Sequence, residues 1–415
     1  MNDILEKVHQ ILEYGDICDH CLGRLFAKRS HKLTNEERGH SLRIAHALMY
    51  NIPFVPYTKG TCWVCNDLFE DIPIWSERVV NALNGIEYEK FVIGTRVPPM
   101  MVESEEMIWS DLSLEDPEPI KSEMNREVGR AVSKLTGKEG APKDPDVTAI
   151  LNINESSVEI QISSVYFYGR YLKYERGIPQ THWDCRNCHG KGCEKCNFTG
   201  KQYQTSVEEL ISEIPKKMFL ADFGYLHGSG REDIDARMIG TGRPFIMEMK
   251  NPKIRTVNLK DLETAINSFA APKVEVRLEK WSDKKTVEIL KSNKGYKRYN
   301  ILVDLADNVS IETVKTAVLK LKGALIHQRT PQRVAHRRAD LIRERTVVNI
   351  DVLGMEGSLY RLDVVGEGGL YIKELISGDD GRTTPSLAEI LAIPAKVVEL
   401  DVVMVDGIDN KNRVE

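Results

Sequence analysis

Apolar residues recur with helical spacing near the start of the chain. The segment ILEKVHQILEYG places them at positions 4, 5, 8, 11 and 12, on one face of a helix, and Gly15 follows as a stop. A second helix is predicted over NEERGHSLRIAHALMY, which ends before Pro53. Residues 1–75 are therefore predicted to be mainly helical.

Residues 76–180 mix the two periodicities. SERVVNALNGI and KSEMNREVGRAVSKLTG have helical spacing, and Gly137 closes the second of them. FVIGTRV is predicted as a short strand, and DVTAILNINESSVEIQISSVYFYGRY as two strands around an Asn-Glu-Ser-Ser turn. This region is predicted to be α+β.

Strand-like alternation dominates residues 201–415, which follow a glycine- and cysteine-rich segment at 181–200. Many strands with few helices between them indicate a mixed, mainly antiparallel sheet, so the predicted fold class is α+β. The predicted strands are KVEVRLEKW, RYNILVDL, RTVVNIDVLG, YRLDVVG, LYIKELI and KVVELDVVMVDG.

Length and charge limit the possible classes of protein. A chain of 415 residues that is 41% hydrophobic suits two or three domains with buried cores. Neither a secretory signal nor an apolar run of about 18 residues occurs. The net charge of −5 argues against a surface coated with nucleic acid, yet residues 329–345 hold six arginines against one Asp and one Glu. That segment suits either phosphate binding or a solvated helix face.

All eight cysteines occur in Cys-x-x-Cys pairs, which indicates metal binding in the reducing cytoplasm. One tetrahedral zinc site is predicted from the two pairs before residue 75, with free thiols as the alternative. The two later pairs predict a second site, for zinc or for an iron–sulfur cluster. Both are interpreted as structural, and their ligands are Cys18, Cys21, Cys62, Cys65, Cys185, Cys188, Cys193 and Cys196.

The segment HGSGREDIDARMIGTGRPF combines glycines with closely spaced charges. Gly230 allows unusual backbone angles and the close approach of a ligand. Charged residues at 231, 233, 235 and 237 would share one face of an extended chain. Charge pattern alone favours a surface ion-pair cluster over a reactive site.

This segment closely resembles the characteristic motif of the tRNA pseudouridine(54/55) synthases shared by archaea and eukaryotes. The resemblance implies that Asp233 is the catalytic carboxylate and that Arg231 contacts the substrate. KGYKRYNILV resembles the family segment that places an aromatic ring, here Tyr299, against the target base. KVVELDVV resembles its last motif strand, whose Leu400 lines the base pocket.

LYIKELISGDDGRTTPSL resembles the late family motif, in which a tyrosine contacts the uridine and a basic residue pairs with the catalytic Asp. These residues are Tyr371 and Lys373. Alternation along the predicted strand would place both side chains on one side, where Lys373 holds Asp233 ionised.

The basic segment RTPQRVAHRRADLIRER resembles the family's own, which implies phosphate contacts from Arg333, Arg337 and Arg338. The first cysteine pairs match the zinc site of the accessory domain, and the region before residue 180 resembles a THUMP RNA-binding module. The expected organisation is a zinc-stapled helical segment (1–75), a THUMP-like region (76–180), a metal knob (181–200) and a catalytic domain (201–415).

The resemblance implies isomerisation of uridine in the T-loop of tRNA, at position 55 and also at position 54. Whether one or both are modified stays open, as does the choice between attack on the base, attack on the sugar and glycal formation. No organic cofactor is expected. The protein is expected to be a monomer. The alternatives are a non-catalytic zinc-containing tRNA-binding protein and another THUMP-type tRNA-modifying enzyme, although neither a dinucleotide fingerprint nor a Walker loop occurs.

Overall fold

The structure is a computed structural model that describes residues 2–115 and 117–407, without the side chains of Asn2 and Arg337. The chain forms two compact units, Met1–Ser163 and Ser164–Glu415, called unit 1 and unit 2 below.

Unit 1 contains helices and a small sheet. Its third helix begins at a capping box, in which Thr34 and Glu37 bond each other's backbone N–H groups, and its sixth ends at Gly137 in the left-handed conformation. Its helices are α1 (Asn2–Tyr14), α2 (Asp19–Arg24), α3 (Asn35–Tyr50), α4 (Ile72–Ala82), α5 (Pro99–Asp111) and α6 (Ile120–Thr136). Its strands are β1 (Lys90–Arg96), β2 (Glu139–Gly140), β3 (Val147–Asn152) and β4 (Ser157–Ile162).

The sheet of unit 1 has the strand order β2-β1-β3-β4. β1 runs parallel to β2 and β3, and β4 pairs antiparallel with β3. Phe91 and Ile93 of β1 share a buried apolar cluster with Val128 and Val132 of α6. The predicted helices and strands of this part of the chain are thereby confirmed.

Unit 2 is built around a larger sheet. Its helices are α7 (Val207–Met218), α8 (Leu259–Ala270), α9 (Lys284–Ser292), α10 (Ile311–Leu319), α11 (Ile372–Ser377) and α12 (Leu387–Leu391). Its strands are β5 (Val165–Lys173), β6 (Phe223–Gly228), β7 (Arg237–Lys250), β8 (Val274–Ser282), β9 (Lys297–Leu305), β10 (Leu325–Arg329), β11 (Ile342–Glu356), β12 (Leu359–Gly366), β13 (Thr383–Thr384) and β14 (Ala395–Val405).

The described strands of unit 2 form one ten-stranded sheet in the order β13-β10-β11-β12-β9-β14-β7-β5-β8, with β6 paired to β7. Within this described sheet, β7 with β14 is the parallel pair and the other pairs are antiparallel. The predicted α+β class with a mixed, mainly antiparallel sheet is confirmed. The long strand β7 joins the two halves of this sheet, and the loop that leads into it carries Asp233.

Two local predictions were wrong. LYIKELI is not a strand: Ile372–Ser377 is the helix α11, and Ile372, Leu375 and Ile376 bury its inner face. The segment that ends in VYFYGRY holds three strands, because after β3 and β4 the chain forms β5 in the unit 2 sheet.

None of the helices in the described part of the chain has the length and apolar character needed to cross a membrane.

Candidate active site

Asp233 lies in the loop 229–236 between β6 and β7, which we call the carboxylate loop. Gly230 has φ +74°, a left-handed conformation that favours glycine, and a Cβ there would lie 3.1 Å from the Nζ of Lys297. The N–H of Ala236 donates to the carbonyl of Asp233 at 3.0 Å and closes a turn around it. The loop therefore presents one carboxylate at a tight turn next to the sheet.

A buried ion pair between Arg243 and Glu232 anchors the carboxylate loop. Nε of Arg243 donates to Glu232 at 2.8 Å, and its Nη1 donates to the carbonyl of Ser229 at 2.8 Å. The hydroxyl of Tyr171 donates to the same glutamate at 2.8 Å. Burial raises the pKa of Glu232, but Arg243 and Lys173 lower it by more, so the glutamate stays ionised inside the protein.

The backbone of the carboxylate loop is held by two further side chains of unit 2. The fully buried ammonium of Lys173 donates to the carbonyls of Ile178 at 2.8 Å, Ile234 at 3.1 Å and Asp233 at 3.4 Å. The amide of Gln180 donates to the carbonyl of Gly230 at 2.9 Å. The sequence analysis missed these supporting residues. The available signal was a lysine at the end of the mainly apolar strand VYFYGRYLK.

Two cations flank the carboxylate of Asp233, which is 30% exposed. Nη1 of Arg333 donates to Oδ1 at 2.8 Å, and Nζ of Lys373 lies 3.6 Å from Oδ2. Lys373 makes its shorter bonds, 2.6 and 2.8 Å, to Asp235. Burial raises the pKa of Asp235, but the bond from Lys373 contributes to a net lowering. The lysine thus bridges two carboxylates of the loop.

Two of the three arginines expected to contact phosphate, Arg333 and Arg338, have protein partners. Arg333 follows β10 in a 3-10 turn, and its Nε also donates to the buried carboxylate of Glu374 at 2.6 Å. Arg338 donates to the hydroxyl of Tyr371 at 2.7 Å. The side chain of Arg337 lies outside the described part of the structure.

Tyr299 and Leu400 lie on the two neighbouring strands β9 and β14. Tyr299 is 8% exposed, and burial together with the negative charge of Asp233 raises its pKa to about 12 despite the opposing charge of Arg243. Both side chains line the same pocket as Asp233, with a volume of about 340 Å³, within the range of ligand sites. The pocket thus combines an apolar wall with an ionised loop.

Tyr371 and Lys373 enter the pocket from the start of a helix. Tyr371 is the N-cap residue of α11, and Lys373 lies in its first turn. Strand alternation was therefore the wrong reason for placing them together. Buried Gln328 of β10 fixes the tyrosine backbone, donating to its carbonyl at 2.9 Å and accepting from its N–H at 2.8 Å. The sequence analysis did not identify this glutamine.

Arg231 connects the carboxylate loop with the cysteine-rich knob at residues 181–200. Its guanidinium lies 5.5 Å from the ring centre of Trp183, a cation–π distance. Trp183 immediately precedes the pairing of Asp184 with Lys201 that closes the knob. Arg231 lines the pocket from the knob side, next to Asp233.

The first four cysteines form a buried cluster in unit 1, with all four Sγ atoms within 4.8 Å of one another. Measured Sγ–Sγ distances are 3.5 and 3.6 Å, far beyond a disulfide bond. Ligands on one tetrahedral zinc ion, at about 2.3 Å from the metal, lie about 3.8 Å apart. The N–H groups of Cys18 and Cys21 also point at sulfurs, which favours thiolates. Cys18, Cys21, Cys62 and Cys65 thus suit one metal ion.

The knob holds a second cluster of the same kind, formed by Cys185, Cys188, Cys193 and Cys196. Its Sγ–Sγ distances are 3.7, 3.8 and 3.9 Å. Thiolates on an iron–sulfur cluster bind different iron atoms and lie further apart, so the geometry favours a mononuclear ion. The N–H groups of Gly192 and Gly200 donate to these sulfurs.

The chain was compared with known protein families and structures. A family model described as "Pus10, C-terminal" matches residues 166–406, and one described as "Pus10 THUMP domain, archaeal" matches residues 75–152. A crystal structure of a Cbf5-Nop10-Gar1 complex resembles 56% of this chain and 47% of that chain at 18% identity, with a TM-score of 0.32. That structural likeness is too low to support an inference.

Curated relatives match over nearly the whole chain. A protein of Methanothrix thermoacetophila named tRNA pseudouridine synthase Pus10 is 40% identical, covering 99% of this chain and 96% of its own length. A protein of the same name from Halorubrum lacusprofundi is 40% identical, covering 98% and 97%. The chain belongs to the Pus10 family of tRNA pseudouridine synthases.

Proposed function

We propose that this protein isomerises uridine to pseudouridine in the T-loop of tRNA, at position 55 and also at position 54, with Asp233 as the catalytic carboxylate. The observation that carries the proposal is the pairing of Asp233 with Arg333 at 2.8 Å and with Lys373 at 3.6 Å, inside a pocket lined by Tyr299 and Leu400. This arrangement provides a carboxylate between two cations, beside a surface that fits a planar base.

The reaction needs no group beyond the substrate and the protein. The bond from N1 to C1′ breaks, the uracil turns, C5 bonds to C1′, and the proton lost from C5 is balanced by the one gained at N1. The carboxylate of Asp233, flanked by Arg333 and Lys373, serves as nucleophile or base in this sequence. The ring of Tyr299 stacks on the base once it has left the RNA stack, and Leu400 packs against it.

The remaining assignments extend this proposal. Each cysteine cluster binds one zinc ion as a structural element, and the THUMP-like region of unit 1 binds tRNA. Paired thiols that must stay reduced favour the cytoplasm. We expect a monomer, because the described residues of the catalytic pocket all come from unit 2 of one chain.

The test is to incubate unmodified tRNA transcript with wild-type protein and with Asp233→Asn, and to map pseudouridine by carbodiimide labelling and primer extension. Wild type is expected to produce a stop at position 55 and another at position 54. Asp233→Asn is expected to lower the single-turnover rate by at least about 10³-fold, because an amide is neither nucleophile nor base at neutral pH.

Asp235→Asn is the matched control, because it removes the same charge from the same loop while leaving Asp233 in place. Its rate is expected to fall by less than about tenfold, since Lys373 keeps its contact with Asp233. If wild type binds the transcript but forms no pseudouridine, the proposed reaction is wrong. Equal rates for Asp233→Asn and Asp235→Asn would remove Asp233 from the catalytic role.

A further inference from the structure

The active-site pocket is lined by six cations that have no carboxylate partner among the described residues. Three come from the stretch between the end of α9 and the first residue of β9, and three from the residue after the 3-10 turn and from β11. They are Lys291, Lys294, Lys297, Arg338, Arg343 and Arg345. We call this set the cationic wall.

Three further cations of the pocket are paired with carboxylates. Arg333 and Lys373 bond carboxylates of the loop and of α11, and Arg243 bonds Glu232. The arginines of the cationic wall bond neutral groups: Arg343 donates to the hydroxyl of Thr330 at 2.9 Å and Arg345 to the carbonyl of Gly368 at 3.0 Å. Their positive charge is left for an anion from outside the protein.

Lys297 is the member of the wall nearest the carboxylate loop. It precedes Tyr299 by two residues on β9, so the two side chains share a face of the sheet. Burial and, to a smaller extent, the charge of Arg243 lower the pKa of Lys297 to about 7, against the weaker, opposing effect of Glu232. Binding of an anion stabilises a buried, unpaired cation more than it stabilises an exposed one.

The segment that carries Lys294 is fixed before any ligand binds. The N–H of Gly295 donates to the side chain of Asn293 at 3.0 Å, and the N–H of Tyr296 donates to Asp406 at 2.8 Å. A Cβ on Gly368 would lie 2.8 Å from the carbonyl of Gly295, so two loops touch closely at this point. Binding therefore does not have to order the backbone of this segment.

We propose that Lys294, Lys297, Arg343 and Arg345 bind the phosphodiester groups that flank the flipped uridine. This assignment rests on the proposed function, because it takes RNA as the ligand. Several separated cations in one wall suit a polymeric phosphate backbone, and Tyr299 lies where the base of that nucleotide would stack. Arg333, which bonds two carboxylates, then serves the loop rather than the backbone of the RNA.

The test measures the dissociation constant of unmodified tRNA transcript against salt for wild type, Lys294→Gln and Lys297→Gln. Each substitution is expected to weaken binding on the order of tenfold and to reduce the slope of log K against log salt by roughly 0.7–0.9. Under turnover, KM is expected to rise far more than kcat falls, because the contact exists before and during the reaction. Lys297→Arg, which keeps the charge, is expected to restore the slope.

Lys285→Gln is the matched control, because Lys285 is an exposed lysine of α9 that does not line the pocket. It is expected to keep the wild-type dissociation constant and slope. Wild-type slopes for both Lys294→Gln and Lys297→Gln would overturn the proposal, and the exposed Lys294 keeps the test open if Lys297→Gln folds poorly. If the variants show the expected reductions in slope but wild type forms no pseudouridine, the proposed reaction is wrong and the phosphate site is retained.

Discussion

Asp233 has two cationic neighbours that differ in distance and in their other partners. Arg333 is the nearer, at 2.8 Å, and its planar guanidinium also reaches Glu374 at 2.6 Å. Lys373 lies at 3.6 Å and shares its ammonium with Asp235. Arg333 therefore fixes both the charge and the direction of the Asp233 carboxylate, whereas Lys373 contributes mainly charge.

The first prediction concerns Arg333. Arg333→Gln is expected to lower the single-turnover rate by roughly 10²-fold and the free energy of unfolding by about 2 kcal/mol, since it also leaves the buried Glu374 unpaired. Arg333→Lys is expected to recover only part of the rate, because an ammonium group cannot bond two carboxylates in the fixed geometry of a planar guanidinium.

Arg329→Gln is the control for Arg333. Arg329 belongs to the same basic segment but bonds the exposed Asp340, outside the pocket. We expect its rate to stay within about twofold of wild type, because exposed ion pairs contribute little. A wild-type rate for Arg333→Gln would assign the orientation of Asp233 to Lys373 instead.

The second prediction concerns Lys297 and pH. Its pKa falls from 10.5 in the unfolded chain to about 7 in the folded protein, where it faces Arg243 and Glu232. Between pH 7 and pH 10.5 the unfolded chain binds more protons at Lys297 than the folded protein does. The contribution of Lys297 to the free energy of unfolding therefore rises with pH across this window, and it is most destabilising below pH 7. Lys297→Met should therefore stabilise the protein more at about pH 6 than at about pH 9.5.

Urea unfolding of wild type and Lys297→Met at both pH values measures this difference. Lys285→Met serves as the control, because Lys285 is exposed and its substitution should shift both midpoints equally. If Lys297→Met gave the same gain in midpoint at both pH values, Lys297 would not be a titrating, unpaired cation of the folded protein.

At the scale of elements, β5 and β7 hold the carboxylate loop through a buried polar network. β5 supplies Tyr171 and Lys173, β7 supplies Arg243, and all three converge on Glu232. A buried charge without its partner is costly, so the loop is stable only when the whole network is present. The position of the Asp233 carboxylate thus depends on two adjacent antiparallel strands.

The third prediction tests this network. Arg243→Met leaves Glu232 buried without its main partner and is expected to lower the free energy of unfolding by about 3–5 kcal/mol. Adding Glu232→Gln is expected to recover part of that loss, because a neutral amide is cheaper to bury. Urea unfolding of the two single variants and the double variant forms the cycle. Strictly additive losses would show that the two side chains do not act as a pair.

The carboxylate loop was singled out by its resemblance to the family motif, whose residues are adjacent along the chain, whereas its charge pattern alone favoured a surface ion-pair cluster. Lys173 was not, because it lies 60 residues before Asp233 and only strand pairing brings the two together. The strand predicted over LYIKELI failed because short apolar runs fit either structure. The helical spacing of Ile372, Leu375 and Ile376 was present but covers fewer than two turns. Local chemistry was therefore predictable, and contacts between strands were not.

At the scale of the whole molecule, each unit has its own apolar core and its own four-cysteine cluster. Phe69 and Trp75 join the first cluster's cysteines in the core of unit 1. The second cluster instead shapes the knob, whose Trp183 contacts Arg231 of the carboxylate loop. We therefore expect the first cluster to stabilise unit 1 and the second to support the position of Arg231 in the pocket.

The fourth prediction follows from this division. Cys18→Ser/Cys62→Ser and Cys193→Ser/Cys196→Ser are each expected to lose about one equivalent of zinc by elemental analysis, because two ligands do not hold a structural ion. The first pair should lower the stability of unit 1, measured by limited proteolysis within residues 1–163, since its sulfurs lie in that core. The second pair should leave that proteolysis unchanged but slow isomerisation, because Arg231 loses the support of Trp183.

Each double variant is the control for the other. Equal loss of activity with equal proteolysis of unit 1 in both would show that the two clusters stabilise one cooperative structure rather than two separate parts.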